Sequence, residues 1–224
     1  MLRDNLRDEA NAWFVGEPFK VFYDYKKEGI WQLGEEAAAA ANGQEPGDIK
    51  VQDVDGNGVI TTDDRIIYSQ RPDVTFGFNN TFNYKGFDLS VFLYARLGQW
   101  IAYDYNTTYR INALENGGNV DYWTPENPTN AFPRPNKSKS YTQVTYYSTL
   151  KYEDGSFFKI RDITLGYTFK PELLKHLNLS KLRVYATAKN FFTFSKIDNY
   201  DPEQGGSISF PMTKQLVFGL NVEF

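Results

Sequence analysis

Hydrophobic and polar residues alternate in five stretches of this chain, and the alternation has the period of a strand. Phe76, Phe78, Phe82 and Tyr84 alternate with Gly77, Asn79, Thr81 and Asn83. After Lys85-Gly86, Phe87, Leu89, Val91, Leu93, Ala95 and Leu97 alternate with Asp88, Ser90, Tyr94 and Arg96. Period two sends one set to each face of a sheet. The Lys85-Gly86 pair between the two runs predicts a tight hairpin. Ile163, Leu165, Tyr167 and Phe169 make a third run. Phe158 and Ile160 are out of phase with it, which predicts a bulge near Arg161-Asp162 or a change of surroundings there. Leu182, Val184, Ala186, Ala188, Phe192 and Phe194 make the fourth, against Arg183, Tyr185, Thr187 and Lys189. Leu216, Phe218, Leu220, Val222 and Phe224 make the fifth, against Val217, Gly219, Asn221 and Glu223.

The connections between these runs are short, long, short, long. They are Lys85-Gly86, residues 98–155, Lys170–Asn178 with one helical turn expected at Pro171–His176, and Asn199–Ser207. Pro125, Pro128, Pro133 and Pro135 in the longest one forbid a central strand there. The hairpin runs have about the 9–11 residues that a tilted strand needs to cross a bilayer. Short turns on one side and long loops on the other are the habit of transmembrane barrels. Read back from Phe224, the long connections and everything before Thr75 fall outside. Tyr84, Phe87, Tyr167, Phe169 and Phe224 then mark one interfacial girdle, and Phe76, Phe192 and Phe194 the other. The expected fold class is all-β: a partial antiparallel transmembrane β-barrel of about 5 strands, with long extracellular loops and a calcium-type loop. Residues 1–74 are an extracellular loop region with a short helix at Glu35–Ala41 and an EF-hand-like loop. Residues 75–224 are barrel strands carrying the long external loop 98–155.

Composition changes this picture little. Aromatic residues make up 17% of the chain, which suits girdles. A mean hydropathy of −0.53 does not count against strands whose two faces average out. No apolar run approaches the roughly 18 residues of a transmembrane helix. The net charge of −4 gives no sign of a nucleic-acid partner. The absence of cysteine excludes disulfides, thiolate metal sites and cysteine nucleophiles. The opening Met1-Leu2-Arg3-Asp4-Asn5 has no apolar export core, so an exported chain of this kind is expected to be a segment of something longer.

One stretch carries candidate metal chemistry. Residues 53–64 place oxygen ligands at EF-hand intervals: Asp53, Asp55 and Asn57, then the Val59 carbonyl, Thr61 and finally Asp64, with Gly58 at the sharp turn. A hard cation wants such a ring, so a structural Ca2+ is expected. The last position is Asp where Glu is usual, and the bland alternative is an Asp/Gly turn without metal. Ile60 is expected to pin the loop to its neighbours. Trp100, Trp123, Tyr146 and Tyr147 lie in external segments, where they could stack on a ligand or a partner, or simply pack the loops. His176, the single histidine, sits in a predicted turn with no cleft to make it catalytic.

Several phrases have a wording that periodicity does not require. They are Pro46-Gly47-Asp48-Ile49-Lys50 before the acidic loop, Phe76-Gly77-Phe78-Asn79-Asn80-Thr81-Phe82, and Tyr84-Lys85-Gly86-Phe87-Asp88-Leu89-Ser90. Tyr122-Trp123-Thr124-Pro125-Glu126-Asn127-Pro128-Thr129-Asn130, Ser156–Tyr167 and Ala188-Lys189-Asn190-Phe191-Phe192 are others. In this order they resemble the C-terminal part of SusC/RagA-type TonB-dependent outer-membrane transporters. The resemblance implies a 22-stranded barrel with a plug. It also implies coupling to TonB, a SusD-like surface lipoprotein as partner, and uptake of a glycan or peptide cargo. The location implied is the outer membrane of a Gram-negative, Bacteroidetes-like cell, in contact with its lipid. Nothing here matches the plug or the TonB-contacting segment, so this chain alone is not expected to transport. Two other classes remain: a secreted calcium-stabilised β-sandwich for binding or adhesion, and a surface glycoside hydrolase. No catalytic residue is assigned.

Overall fold

A computed structural model describes residues 7–112 and 118–224. The charged opening and part of the long loop, residues 113–117, lie outside the described residues. Strands dominate. In chain order they are β1 (Arg7–Asp8), β2 (Trp13–Phe14), β3 (Val21–Tyr25), β4 (Lys27–Ile30), β5 (Ile49–Val51), β6 (Arg65–Ser69), β7 (Val74–Tyr84) and β8 (Phe87–Leu97). Then follow β9 (Trp100–Ala102), β10 (Tyr152–Asp154), β11 (Phe157–Thr168), β12 (Lys181–Ser195) and β13 (Gln215–Glu223). Two short helices are α1 (Glu36–Ala41) and α2 (Pro171–Leu174). No described helix is long and apolar enough to cross a membrane. The contacts divide the chain into two units, residues 1–71 with 100–154 and 205–208, and residues 72–99 with 155–204 and 209–224.

The first unit is built from small antiparallel pairs: β1 with β2, β3 with β6, β4 with β5, and β9 with β10. Its core gathers Ile30, Ile49, Val51, Trp123 and Leu150, with Tyr25, Ile60, Phe132, Val144, Tyr146 and Tyr147 packed around them. The stretch 98–155 is therefore not a bare loop. It supplies β9, β10 and two of these core residues, because its aromatic and aliphatic side chains find partners far away in sequence. Helix α1 forms on a run of alanines, the strongest helix formers. It ends where Gly43 takes a φ of +67° and the Gln44 N–H returns to the Ala39 carbonyl at 2.9 Å.

The second unit is one antiparallel sheet in the order β13-β12-β11-β8-β7. The five runs of alternating residues are its five strands. Lys85 and Gly86 both take positive φ, which matches the twist of a two-residue hairpin. Only glycine fits at 86, since a Cβ there would lie 2.9 Å from the Thr168 carbonyl oxygen. Pro171 opens α2 at a position where its missing N–H costs nothing. The register of β11 shifts between Ile160 and Asp162 against both neighbours, which is the expected bulge. The shift returns Phe158 and Ile160 to the face that carries Ile163 and Leu165.

The pairing sorts the side chains into rows. Tyr84, Phe87, Tyr167, Val184 and Leu220 make one row across all five strands. Phe82, Leu89, Leu165, Ala186 and Phe218 make the next, and Asn80, Val91, Ile163, Ala188 and Leu216 the third. Phe78, Leu93, Ile160 and Phe192, then Phe76, Ala95, Phe158 and Phe194, complete that face. It is apolar except at Asn80, and it stands open: Phe82 is 61% exposed, Leu165 52% and Phe218 77%. The opposite face carries Asn83, Asp88, Thr81, Ser90, Thr164, Thr187, Lys159 and Arg96, and there Lys159 is 0% exposed. A sheet that exposes its apolar face and buries a lysine on the other inverts the usual order of a protein in water.

Candidate functional site

The acidic loop folds around its first and last residues. Asp53 accepts the Gly56 N–H on Oδ1 and the Gly58 N–H on Oδ2, both at 2.7 Å. Gly56 and Gly58 take φ values of +73° and +84°, so glycine is required where the chain doubles back. Asp64 is wholly buried. Its Oδ1 accepts the Val54 N–H at 2.8 Å and its Oδ2 the Thr61 N–H at 2.7 Å. These donors, the Thr61 amide first, hold the Asp64 carboxyl below the usual carboxylate range.

Ligand atoms of Asp53, Asp55 and Asp64 lie within 4.8 Å of one another. The other predicted ligands continue around the loop as internal braces. Asn57 donates to Asp55 Oδ2 at 2.7 Å and accepts the Val59 N–H at 2.8 Å. Thr61 Oγ1 accepts the Asp63 N–H at 3.2 Å, capping the short helical turn Thr62–Asp64. Ile60 does pin the loop. Its N–H reaches Asn42 Oδ1 at the end of α1, at 3.2 Å, and its side chain joins the core of the first unit. Three carboxylates this close repel one another, and each oxygen that accepts one amide has lone pairs left for a cation. The donor set therefore fits a hard cation such as Ca2+, which prefers oxygen ligands.

The aromatic candidates are placed differently from the stacking reading. Trp123 is 4% exposed, and its indole N–H donates to Gln32 Oε1 at 2.8 Å, so it is a core residue and offers no free face. Tyr146 sits edge-on to Tyr25 at 4.8 Å. The Tyr147 hydroxyl donates to the Tyr109 carbonyl. Trp100 meets Tyr68 edge-on at 4.8 Å. Each of the four thus has a packing partner, and Trp100, Tyr146 and Tyr147 stay half-buried.

A further cluster was not legible in the sequence. On the polar face of the sheet, Lys159 Nζ lies 2.6 Å from Asp201 Oδ2 and 2.7 Å from Glu203 Oε2. Arg161 Nη1 lies 3.1 Å from Glu203 Oε1. Thr193 Oγ1 donates to Asp201 Oδ2 at 3.2 Å. The carboxylates come from the connection between β12 and β13, more than 40 residues beyond the lysine. The only sequence signal was the wrong-phase Phe158 and Ile160, which left Lys159 and Arg161 unassigned.

No family model matches the chain. It is 31% identical over 245 residues to the TonB-dependent receptor P3 of Formosa agariphila, which covers 98% of this chain and 23% of that protein. It is 31% identical over 181 residues to the TonB-dependent receptor SusC of Bacteroides thetaiotaomicron, covering 77% of this chain and 17% of that one. Its fold matches a chain of the RagAB peptide importer in the open-open state, with a TM-score of 0.65 and 26% identity. That match covers 95% of this chain and 23% of that one. The chain thus spans less than a quarter of the length of each of these relatives. By sequence over nearly its whole length, the chain belongs with the TonB-dependent receptors of the SusC and RagA kind, as the homologue of one segment of them.

Proposed function

We propose that this chain forms part of the wall of an outer-membrane importer. The five-stranded sheet is a section of transmembrane β-barrel, with its apolar face toward lipid and its polar face toward the lumen. The observation that carries this reading is the inverted sheet, which exposes Phe82, Leu165 and Phe218 while it buries Lys159. At about 25 cal/mol per Å2 of apolar surface, a face of this extent is costly in water and favourable in hydrocarbon. The sandwich alternative needs a second sheet over that face, and the exposure of its large side chains argues against one. Strands β7 and β13 each have a single partner, so their outer backbone edges need further strands before the section can sit in a bilayer. This chain by itself therefore does not transport. In the whole receptor the partners are TonB and a SusD-like surface lipoprotein, and the cargo is an oligosaccharide or a peptide.

The acidic loop has a structural part in this reading. Asp53, Asp55 and Asp64 hold Ca2+, with Asn57, the Val59 carbonyl and Thr61 completing the ring. The ion would neutralise the carboxylates and stiffen an external segment. Extracellular calcium modules work with dissociation constants of about 10⁻⁴–10⁻³ M, which suits such a place.

Single-cysteine variants test the orientation, and the cysteine-free chain makes them clean. Thr81→Cys and Phe82→Cys are neighbours on opposite faces of β7. With the chain carried in a full-length receptor in membranes, a water-soluble, membrane-impermeant maleimide should label Thr81→Cys and spare Phe82→Cys. Equal labelling of both, or the reverse order, would sink the wall reading.

A further inference from the structure

The upper part of the sheet's polar face carries more positive charge than it neutralises. Tyr94 on β8 stands opposite Lys159 on β11. The Arg96 guanidinium lies 5.5 Å from the centre of the Tyr94 ring, and its Nε donates to the Tyr94 hydroxyl at 2.7 Å. The Arg161 guanidinium lies 5.1 Å from the centre of the same ring. The bulge brings Arg161 there, because the extra residue turns its side chain to the face that Lys159 occupies. Two guanidinium groups thus flank one phenol, with Lys159 at the paired position on the next strand. Two carboxylates answer them, Asp201 on Lys159 and Glu203 on Lys159 and Arg161. Among the described residues, no carboxylate lies within ion-pair distance of Arg96. Its side chain is half-buried, and that of Arg161 keeps 37% exposure, so both guanidinium groups are reachable from the polar face.

We propose that Arg96 and Arg161, flanking Tyr94, form a binding site for a carboxylate-bearing ligand on this face. A guanidinium presents paired N–H donors in a plane that matches the two oxygens of a carboxylate. The cluster already pairs a guanidinium with a carboxylate through one contact, Arg161 Nη1 to Glu203 Oε1, and Arg96 repeats the donor without the acceptor. Tyr94 holds the Arg96 head through its hydroxyl, so less freedom is lost when a ligand arrives. If the polar face lines a lumen, as proposed above, the site meets passing cargo. The ligand is then a peptide with a free acid or a sugar acid, which share the recognised group.

Isothermal titration calorimetry of the chain in detergent tests the site with two probes, N-acetylglutamate and glucuronate, each beside its methyl ester. The acids should bind and the esters should not. Binding of one acid alone would assign the source as peptide or sugar. Arg96→Gln should weaken acid binding roughly tenfold, the loss of one charge-assisted contact. Arg161→Gln carries the same expectation should the first variant fail to fold. Acid and ester bound alike, no acid bound by the unaltered chain, or undiminished binding by folded Arg96→Gln would each overturn the site. The titration does not depend on which face meets lipid. Its failure with the Thr81→Cys labelling pattern intact would remove the site and leave the wall reading standing.

Discussion

Arg183 on β12 reaches across β11 to Asp88 on β8, with Nε 2.8 Å from Oδ1 and Nη2 2.5 Å from Oδ2. The pair lies flat over Gly166, where a Cβ would come within 2.5 Å of both Arg183 Nη2 and Asp88 Oδ1. Glycine at 166 is therefore a condition of the ion pair, and the pair ties three strands together on the polar face. Gly166→Ala should push the guanidinium and the carboxylate apart and destabilise the sheet by about 1–3 kcal/mol, as overpacking does elsewhere. The urea midpoint in detergent measures this. An unchanged midpoint would show that the pair can rise over a methyl group without loss.

The Lys159 cluster should behave as a buried ion pair. Lys159→Met leaves Asp201 and Glu203, with side chains only 12% and 9% exposed, short of their main cation. Breaking one side of such a pair costs roughly 3 kcal/mol. Adding Asp201→Asn and Glu203→Gln should recover much of the loss, because no buried carboxylate is then stranded and Arg161, which loses its partner, keeps 37% exposure to water. Buried pairs are screened little by salt, so the loss should persist at high ionic strength. Thermal unfolding of the two variants at low and high salt provides the comparison.

Much of this fold was legible in the sequence because strand physics is local. Phe76 to Tyr84 and Phe87 to Leu97 alternate on the apolar side with Asn80 as the one exception, and a two-residue hairpin fixes their register. The bulge was legible for the same reason, since Phe158 and Ile160 break a period that resumes at Ile163. What failed to show depends on distance along the chain. Trp123 reads as an exposed loop aromatic until Gln32, 91 residues earlier, takes its indole N–H. Lys159 reads as an ordinary strand lysine until Glu203, 44 residues later, folds onto it. The acidic loop lies between these cases. Its turns follow from Asp53, Gly56 and Gly58, whereas the burial of Asp64 follows from packing.

The loop should respond to acid and to calcium through Asp64. Its folded pKa is depressed by the Thr61, Val54 and Asp55 amides. The stabilisation it contributes is then fully present above the ordinary carboxylate pKa of about 3.9 and is lost as the pH falls through the lower folded value. Asp64→Asn should cost about 1–3 kcal/mol even near neutrality, because one carboxylate oxygen becomes an NH2 facing an N–H donor. Calcium should raise the melting temperature of the unaltered chain and leave that of Asp55→Asn nearly unmoved. Magnesium, which demands tighter octahedral geometry, should do less. A melting temperature indifferent to calcium would reduce the loop to a hydrogen-bonded turn.

The bulge at Arg161 keeps both halves of β11 in the apolar rows although the sequence changes phase there. Ile160 pairs with Leu93 and Asp162 with Phe92, which are consecutive residues of β8, so Arg161 is the extra residue. Deleting Arg161 places Asp162 directly after Ile160, and the ladder closes without a shift. Phe158 and Ile160 then stay on the apolar face, and Lys159 stays on the polar one. The cost is one ion pair, since Arg161 Nη1 lies 3.1 Å from Glu203 Oε1. Deleting Thr164, in the regular part of the strand, has the opposite effect, because a one-residue slip reverses every side chain beyond it. The Arg161 deletion should therefore keep the folded sheet and the Thr164 deletion abolish it, as read by protease resistance and far-ultraviolet circular dichroism in detergent. If both variants lost the sheet, the Arg161 side chain and its contact with Glu203 would be what holds the strand. If both kept it, β11 could slide, and the apolar rows would not fix the register.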